Sequence, residues 1–264
     1  MNAVISTLPT THADASMPLR RVIGAYLEEA RAECLRYLRS PGFLIPTVML
    51  PTVFYLMFGI VLGRANGADA PRYLLAAYGT FGVMAPGLFG FGLALSMERD
   101  NGLMMLKRAL PMPPGAYLLG KMSMAMLVAA TVSVLLLLMA TLLAHVPLTL
   151  TQMLSLFVTD LFGVLPFCAM GLLLGTLIKG QGAPSVVNLI YLPMAFLSGL
   201  WFPLSMMPKL VQQLAPVWPS YHLNQLALSA VGLEQGAFWP HVVTLLVYTV
   251  GFVMLAARRL RRFG

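Results

Sequence analysis

Five long stretches of the sequence contain no charged side chain, and this feature sets narrow limits on the fold. They are residues 43–63, 73–97, 122–144, 183–203 and 237–257. A sixth apolar stretch, residues 151–178, is interrupted only by Asp160. Because a membrane-crossing helix needs about 20 predominantly apolar residues, the sequence predicts an all-α polytopic membrane protein with six transmembrane helices.

The composition excludes two other classes of protein. Charged residues make up 10% of the 264 residues, whereas a soluble domain carries roughly 25%. A surface in water cannot be covered with so few charges, so a soluble globular enzyme is excluded. A disordered chain is excluded as well, because such chains are poor in apolar residues and this one is 59% hydrophobic.

Most Lys and Arg residues fall on one side of the predicted membrane. Of the 17, only Arg64, Arg72 and Lys209 fall on the other side. Since basic loops stay in the cytoplasm, both termini are predicted to be cytoplasmic, in a multi-pass protein of the plasma (inner) membrane. The net charge of +8 is then a topology signal and an anchor to anionic lipid, and it requires no nucleic-acid partner.

The segment before the first span, residues 18–40, has the pattern of an amphipathic helix. Val22, Tyr26 and Leu27 recur with other apolar residues at helical spacing, and charged residues fill the other face. Such a helix lies in the membrane interface, where it is either a plain anchor or a docking surface for a soluble partner. Residues 1–17 are predicted to be a flexible N-terminus, and residues 41–264 a single membrane domain.

Two connecting segments also contain helical patterns. Residues 97–121 have a charged start, an apolar middle and a proline-rich end, which predicts a short cytoplasmic helix lying across the membrane surface. Residues 204–236 are moderately apolar but contain several prolines and amides. The second segment is interpreted as one or two short helices that dip into the outer interface, and not as a further crossing.

No motif in the sequence predicts a catalytic, cofactor-binding or metal-binding site. The stretch from Gly115 to Lys121 matches a phosphate-binding loop until its last position, where Met122 replaces the required Ser or Thr. The four histidines show no metal-ligand spacing. We therefore expect that the chain does not hydrolyse ATP by itself.

One acidic residue within an apolar stretch suggests a function. Asp160 is the one acidic residue inside a predicted span, and intramembrane carboxylates are costly; a structural role or a water-exposed vestibule is favoured over ion coupling. Ser198 and His241 could imitate the dyad of an intramembrane serine protease. The glycine that a nucleophile turn needs two positions earlier is absent, because Phe196 occupies it. A role in helix packing or in a re-entrant turn is therefore favoured for Ser198, and His241 is interpreted as an interfacial histidine.

Three groups of residues, in this order along the chain, resemble signatures of the type 2 ABC transporter permeases. The first is the charged stretch 98–102, followed by Pro111, Gly120 and Lys121; the second is the pair Gly171 and Gly175. The third and strongest resembles the pattern Pro-x-x-Phe-x-Ser-Gly-x-x-Phe-Pro and comprises Pro193, Phe196, Ser198, Gly199, Phe202 and Pro203.

The resemblance implies a permease subunit of an ATP-driven exporter. Two permeases would pair, as a homodimer in the simplest case, and each would dock on a separate subunit that binds ATP and Mg. Residues 18–40 would be the interface helix, residues 97–113 would include the coupling helix, and residues 204–232 would form outer re-entrant helices. The predicted ATPase-coupling residues are Glu98, Arg99, Gly102, Leu103 and Leu106.

Each of these coupling residues has a predicted role. Leu103 and Leu106, three apart on one helical face, would insert into a groove of the partner, and Gly102 would permit the turn before them. Glu98 and Arg99 would form charge pairs across the interface with the partner.

The sequence constrains the identity of the transported compound less than it constrains the family. Because the chain has no large extra domain, a small amphipathic or hydrophobic compound, similar to a drug or antibiotic, is favoured. A lipid or polysaccharide exporter is the alternative. An ion-coupled secondary transporter is more remote, since it would need more intramembrane charge than Asp160 and an inverted repeat.

Overall fold

The computed structural model describes residues 18–63, 67–103, 113, 115–234 and 236–263. Within these ranges the chain is helical and contains no β-strand, which confirms the predicted all-α class. The helices are α1 (Leu19–Leu38), α2 (Pro41–Val61), α3 (Ala70–Asp100), α4 (Ala116–Leu142), α5 (Leu150–Leu177), α6 (Ala183–Leu197), α7 (Lys209–Leu214), α8 (Pro219–Ala230) and α9 (Phe238–Phe263). Two helices contain π-helical segments, Tyr55–Val61 in α2 and Leu88–Leu93 in α3.

Five of these helices, α2, α3, α4, α5 and α9, are long and apolar enough to cross a membrane. They coincide with five of the six predicted spans. Inside hydrocarbon every backbone polar group must be satisfied within the protein, and a helix does this within one segment. The long apolar stretches therefore form helices because no other open structure is stable in that solvent.

The predicted fifth span, residues 183–203, does not form one continuous helix. α6 has 15 residues and ends at Leu197, so it rises only about 22 Å against about 30 Å of hydrocarbon. Gly199 follows with a φ of 78°, a left-handed conformation that glycine adopts without steric cost. The expectation of a helix through residue 203 is therefore wrong at its C-terminal end, and the six-span count stays a prediction.

Short helices occupy the segment between α6 and α9, as the sequence predicts. α7 has six residues and α8 has twelve, and both are too short to cross a membrane. Single 3₁₀ turns at Leu204–Met206 and Ala215–Val217 connect them. Their depth in the membrane stays a prediction.

α3 forms the centre of the bundle, and every residue from Leu74 to Gly87 is buried. Glycines bring it into close contact with α5. A methyl group on Gly171 would lie 2.5 Å from the carbonyl oxygen of Gly87, and one on Gly87 would lie 2.7 Å from Cβ of Phe167. Small residues at a helix interface permit such a close approach of membrane helices.

α1 lies against the beginning of α4, where Gly120 leaves room for Glu29. Its bounds agree with the predicted helix over residues 18–40 to within two residues at each end. A stripe of apolar residues at a spacing of four, Leu19, Ile23 and Leu27, is exposed. This stripe suits either a membrane surface or a partner, so both interpretations of the amphipathic helix stay open.

Candidate coupling site

Four charged side chains and a tyrosine from three helices meet at the end of the bundle that carries α1. We call this set the ion cluster; it comprises Glu33 and Arg36 of α1, Glu98 of α3, and Tyr117 and Lys121 of α4. The sequence separates its members by up to 88 residues. Because the three helices converge, the cluster joins α1 to the ends of α3 and α4, two of the helices long and apolar enough to cross a membrane.

Glu98 is the centre of the cluster. Its Oε1 accepts a hydrogen bond from Arg36 Nη1 at 2.7 Å and another from Lys121 Nζ at 3.1 Å. Its Oε2 accepts a hydrogen bond from the hydroxyl of Tyr117 at 2.7 Å. Glu33 Oε2 completes the network, at 2.6 Å from Arg36 Nη2 and 3.4 Å from Lys121 Nζ.

The cluster is largely closed to solvent except at Arg36, whose side chain is 48% exposed. The side chain of Lys121 is 0% exposed, and those of Glu33 and Glu98 are 4% and 7% exposed. Removing ions from water is costly, and the charges stay ionised inside a protein only when they are paired and hydrogen-bonded. Two acids and two bases with multiple mutual contacts satisfy that condition, so the cluster is balanced as a unit and depends on each member.

The electrostatic effect on Arg36 can be read from its surroundings. Burial lowers the pKa of its guanidinium, but the carboxylates of Glu33 and Glu98 raise it more, so the pKa lies above its ordinary value. Arg36 is therefore a permanent cation that holds the two acids on either side of it.

A second group of bonds ties the end of α3 to the end of α5. Arg99 donates from Nη1 to the carbonyl of Thr176 and from Nη2 to that of Ile178, both at 2.9 Å. Arg259 of α9 donates from Nε to the same Thr176 carbonyl at 3.2 Å. The last carbonyls of a helix have no partner within that helix, and two arginines provide it here. We call this group the arginine clamp.

Asp100 extends the same connection. The backbone N–H of Gly180 donates to Asp100 Oδ2 at 2.6 Å. The consecutive residues Glu98, Arg99 and Asp100 thus contact α1 and α4, the end of α5, and the turn before α6. The charged end of α3 is therefore bonded to α1, α4, the end of α5 and the turn before α6.

The predicted coupling residues have different places in the structure. Glu98 and Arg99 both bond within their own chain, because buried and half-buried charges are stabilised there by partners that the sequence order conceals. Their charge pairs with the partner subunit stay a prediction. Gly102 has a φ of 73°, which agrees with the predicted turn. Leu103 is exposed, whereas Leu106 and most of the predicted coupling helix lie outside the described residues.

Asp160 lies inside the bundle and not in a water-exposed vestibule. Its side chain is buried between α3, α4 and α5, and its Oδ2 accepts a hydrogen bond from Ser133 Oγ at 2.7 Å. Gly79 leaves the space for it, since a methyl group there would be 3.0 Å from Oδ2. Within the described part of the chain, Oδ1 has no hydrogen-bond partner. The vestibule interpretation is therefore wrong.

The strongest family motif forms the turn at the end of α6. The hydroxyls of Ser198 and Ser220 are 2.5 Å apart, and Tyr73 donates from its hydroxyl to the Gly199 carbonyl at 2.6 Å. Pro193 lies within α6, and the aromatic side chain of Phe196 contacts Trp201. Phe202 is exposed and Pro203 leads into the next 3₁₀ turn. The motif thus fixes how the chain turns from α6 toward α7 and α8.

This geometry argues against a serine protease. Ser198 is buried and its hydroxyl is hydrogen-bonded to Ser220, and the imidazole of His241 faces His222, with 2.8 Å between their Nδ1 atoms. A nucleophilic serine needs a base within hydrogen-bond distance, and each of these two side chains is occupied by a different partner.

Sequence reasoning missed several members of the coupling site. The sequence pattern places Arg36 on the charged face of the helix over residues 18–40, Tyr117 in the stretch similar to a phosphate-binding loop, and Arg259 among the cytoplasmic basic residues. It gives Glu33 no role. A charged residue in an apolar segment, Lys121, was the available signal that a buried acid is nearby. The lysine of the stretch similar to a phosphate-binding loop is bonded to two carboxylates, and is not available to a phosphate.

Among the described residues, no cluster of three or more His, Cys, Asp or Glu side chains is placed to hold a metal ion. The bonds of the ion cluster and of the arginine clamp connect helices to one another.

The comparison with known families agrees with this arrangement. Residues 29–232 match the family model of the ABC-2 type transporter. This region includes the whole ion cluster, the turn at Ser198, and every member of the arginine clamp except Arg259. The chain belongs to the ABC-2 type transporter family. It is therefore an integral membrane protein and a permease component of an ABC transporter.

A curated relative supports the same assignment. The Bacillus subtilis (strain 168) protein named "Putative transport permease YvfS" is 27% identical over 232 residues. That match covers 87% of this chain and 94% of the relative. The two proteins are thus similar along nearly their whole lengths. Membership of this family implies an ABC transporter with an ATP-binding partner.

Proposed function

We propose that this chain is the permease subunit of an ATP-driven exporter that moves a small amphipathic or hydrophobic compound out across the inner membrane. A separate subunit would bind ATP and Mg and dock on the side of α1 and the loop after α3. The observation that carries the proposal is the ion cluster, because it connects the interface helix to α3 and α4 through buried, mutually dependent bonds.

The cluster and the arginine clamp together suit the transmission of force. A partner that pushes on the loop after α3 acts on Glu98, Arg99 and Asp100, which bond to α1, α4, α5 and the turn before α6. Packed interiors have low compressibility and transmit strain. A displacement of this loop would therefore move the membrane helices as a connected body.

Two neighbouring cavities favour an amphipathic cargo. One of about 370 Å³ opens beside the ion cluster and is lined by Arg36 and Glu98 at one end and by apolar residues such as Phe43 and Phe89. A second, of about 260 Å³, shares Phe43 and Phe89 and continues along α2 toward α6. Small-molecule sites have roughly this size, with mostly apolar walls and a few polar groups.

A second copy of the chain would cover the outward faces of α2 and α6. α2 exposes Ile45, Met49 and Val53, and α6 exposes Leu189 and Leu192. In lipid such faces gain little from burial alone, but the cavities beside α2 and α6 would be enclosed if two copies paired there. We infer a homodimer with the transport path between the two copies.

Reconstitution tests the proposal directly. The chain is co-expressed with a candidate ATP-binding subunit of an ABC transporter and purified into proteoliposomes, and ATP hydrolysis is measured with and without candidate amphipathic compounds. We expect hydrolysis by the complex, stimulation by the transported compound, and none by the chain alone. Robust hydrolysis by the isolated chain would overturn the proposal.

The proposed orientation has its own measurement. Single cysteines at Asp14 and Arg262 should be protected from a membrane-impermeant thiol reagent in intact cells, and cysteines at Gln212 and Glu234 should react. The opposite pattern would reverse the orientation and move the partner to the other face.

The apolar docking contact can be tested at Leu106. Leu106→Asp would place an unpaired carboxylate at the interface with the ATP-binding subunit, so the variant should insert normally but lose its partner during purification. Leu106→Met, which keeps volume and polarity, is the matched control. Retention of the partner by Leu106→Asp at the wild-type level would exclude this loop as the docking contact.

A further inference from the structure

An apolar groove runs between α5, α8 and α9, at the end of the bundle opposite to the ion cluster. Its volume is about 310 Å³, and no part of it belongs to the coupling site or to the two cavities beside α2. The groove is lined by apolar side chains that include Val158, Phe162, Leu223, Leu226, Val242 and Leu245.

The lining residues show that the groove is elongated along the helices. On α9 they are Phe238, Val242, Leu245, Leu246 and Thr249, spaced three and four residues apart, which is one face of a helix over about three turns. On α5, Val158, Phe162 and Pro166 recur every four residues along the facing side. Two parallel stripes of this kind enclose a long, narrow space.

The groove lies at the depth of one lipid leaflet. Val242 to Thr249 lie roughly 6 to 17 Å along α9 from its first residue, at about 1.5 Å per residue. The hydrocarbon core of a bilayer is about 30 Å thick. At the beginning of α9, Trp239 is 72% exposed, and tryptophan is enriched where hydrocarbon meets the polar headgroups. The groove thus extends from the headgroup level toward the middle of the membrane.

The rim of the groove is exposed on the outside of the bundle. Phe162 on one side and Leu246 on the other are 56% and 58% exposed, and both belong to helices long and apolar enough to span a membrane. Leu223 forms the floor, and it fits because Gly163 has no side chain; a methyl group there would be 2.4 Å from Leu223 Cδ1. The space is therefore open to lipid along its length.

Water is a poor occupant of this groove. The hydroxyl of Thr249 is hydrogen-bonded to the carbonyl of Leu245 in its own helix at 2.7 Å. A buried water needs two to four polar partners, and apolar cavities stay dry and take up apolar molecules. A linear hydrocarbon chain fits both the shape and the chemistry.

We propose that this groove binds one acyl chain of a phospholipid from the adjacent leaflet, as a resident lipid that packs α8 between α5 and α9. The proposal requires only that the chain lies in a membrane, so it is independent of the direction of transport and of the cargo.

Two neighbouring substitutions on α9 provide the test. Val242→Phe would fill the groove, whereas Val243→Phe places the same side chain at an exposed position one residue away. Native mass spectrometry after extraction in mild detergent counts the phospholipids that stay bound. We expect one retained phospholipid per wild-type chain and per Val243→Phe chain, and a loss of at least fivefold for Val242→Phe.

Photolabelling separates a specific site from general lipid contact. A phospholipid with a diazirine in its acyl chain should label residues 158–166 and 242–249 preferentially in the wild type and in Val243→Phe. Equal retention by all three proteins, uniform labelling of the lipid-facing helices, or a retained molecule that is not a phospholipid would each overturn the proposal. If Val242→Phe does not fold, as judged by gel filtration, Thr159→Leu fills the same groove from α5 and replaces it.

Discussion

Glu98 and Asp160 are two buried carboxylates in the same bundle, and their surroundings differ in almost every respect. Glu98 accepts hydrogen bonds from Arg36, Lys121 and Tyr117. Asp160 accepts one hydrogen bond, from Ser133, and no cation is bonded to it among the described residues. The first belongs to a balanced ionic network at the end of the bundle, and the second stands alone in its interior.

The difference shows what each carboxylate can do. A buried ion pair stabilises little overall, but removing one partner is strongly destabilising because it leaves an uncompensated charge. Glu98 therefore makes three helices depend on one another. A lone carboxylate in an apolar interior is expected to hold a proton, since the ionised form has nothing to compensate its lost hydration. Asp160 is then a neutral hydrogen-bonding group between helices.

The largest expected effect comes from breaking the ion cluster at its most buried member. Lys121→Met removes the cation that bonds to both Glu33 and Glu98, and should lower the free energy of unfolding by about 3–5 kcal/mol. Lys179→Met, at an exposed lysine, is the control and should change it by less than about 0.5 kcal/mol. Thermal or denaturant unfolding in detergent micelles measures both.

A double variant sharpens the same test. Adding Glu98→Gln to Lys121→Met restores the balance of one acid and one base, so part of the lost stability should return. Equal stability of Lys121→Met and Lys179→Met would show that the members of the cluster do not depend on one another for the stability of the fold.

The arginine clamp should have the next largest effect. Arg99→Ala leaves two carbonyls at the end of α5 with fewer hydrogen-bond donors and should lower the free energy of unfolding by roughly 2 kcal/mol. We also expect more ATP hydrolysis per molecule transported, since the loop is no longer fixed to α5. Arg258→Ala, an exposed neighbour of the clamp residue Arg259, is the control. An unchanged ratio of hydrolysis to transport in Arg99→Ala would exclude the clamp from force transmission.

A smaller effect is expected at Asp160. Asp160→Asn keeps the acceptor for Ser133 and matches the neutral acid in shape, so it should alter stability by less than about 1 kcal/mol. Glu98→Gln, the same chemical change in the ion cluster, should cost about 3 kcal/mol or more. If both substitutions are equally costly in the unfolding assay, Asp160 is ionised and the contrast between the two carboxylates fails.

The smallest effect concerns pH at the opposite end of the bundle. His222 bonds through Nε2 to the Pro216 carbonyl and through Nδ1 to His241, with Tyr221 and Glu234 nearby. Burial lowers the pKa of His222 and the Pro216 carbonyl offsets this only in part. A lowered pKa favours the neutral form, so this contribution to stability is present above the ordinary pKa of about 6.5 and is lost as the pH falls below it.

The difference between wild type and His222→Asn isolates that contribution. Between pH 7.5 and pH 5.5 the thermal midpoint of the wild type should fall by a few degrees more than that of His222→Asn. His145→Asn is the control, because His145 has a φ of 50° and asparagine tolerates that conformation. Parallel pH profiles for wild type and His222→Asn would show that the pH dependence of the thermal midpoint does not come from His222.

The sequence by itself determined the helical membrane class, the amphipathic α1, five of the long helices and the family. These depend on local composition and order: an apolar run of sufficient length has no stable alternative to a helix in hydrocarbon, and the motif around Ser198 can be recognised without a structure. Gly102 is a similar case, since its turn depends on one residue and its backbone.

Only the tertiary structure decided which charges meet. A helical period shows that Glu98 and Arg99 point in different directions, but it does not show which helix lies in each direction. Their partners are 19 to 79 residues away in sequence. The end of α6 at Leu197 was also undetermined, because apolar composition continues past it while Gly199 and the bonds from Ser220 and Tyr73 turn the backbone. The sequence left a structural role and a water-exposed vestibule both open for Asp160 for the same reason: its burial depends on Gly79 and Ser133, which lie on two other helices.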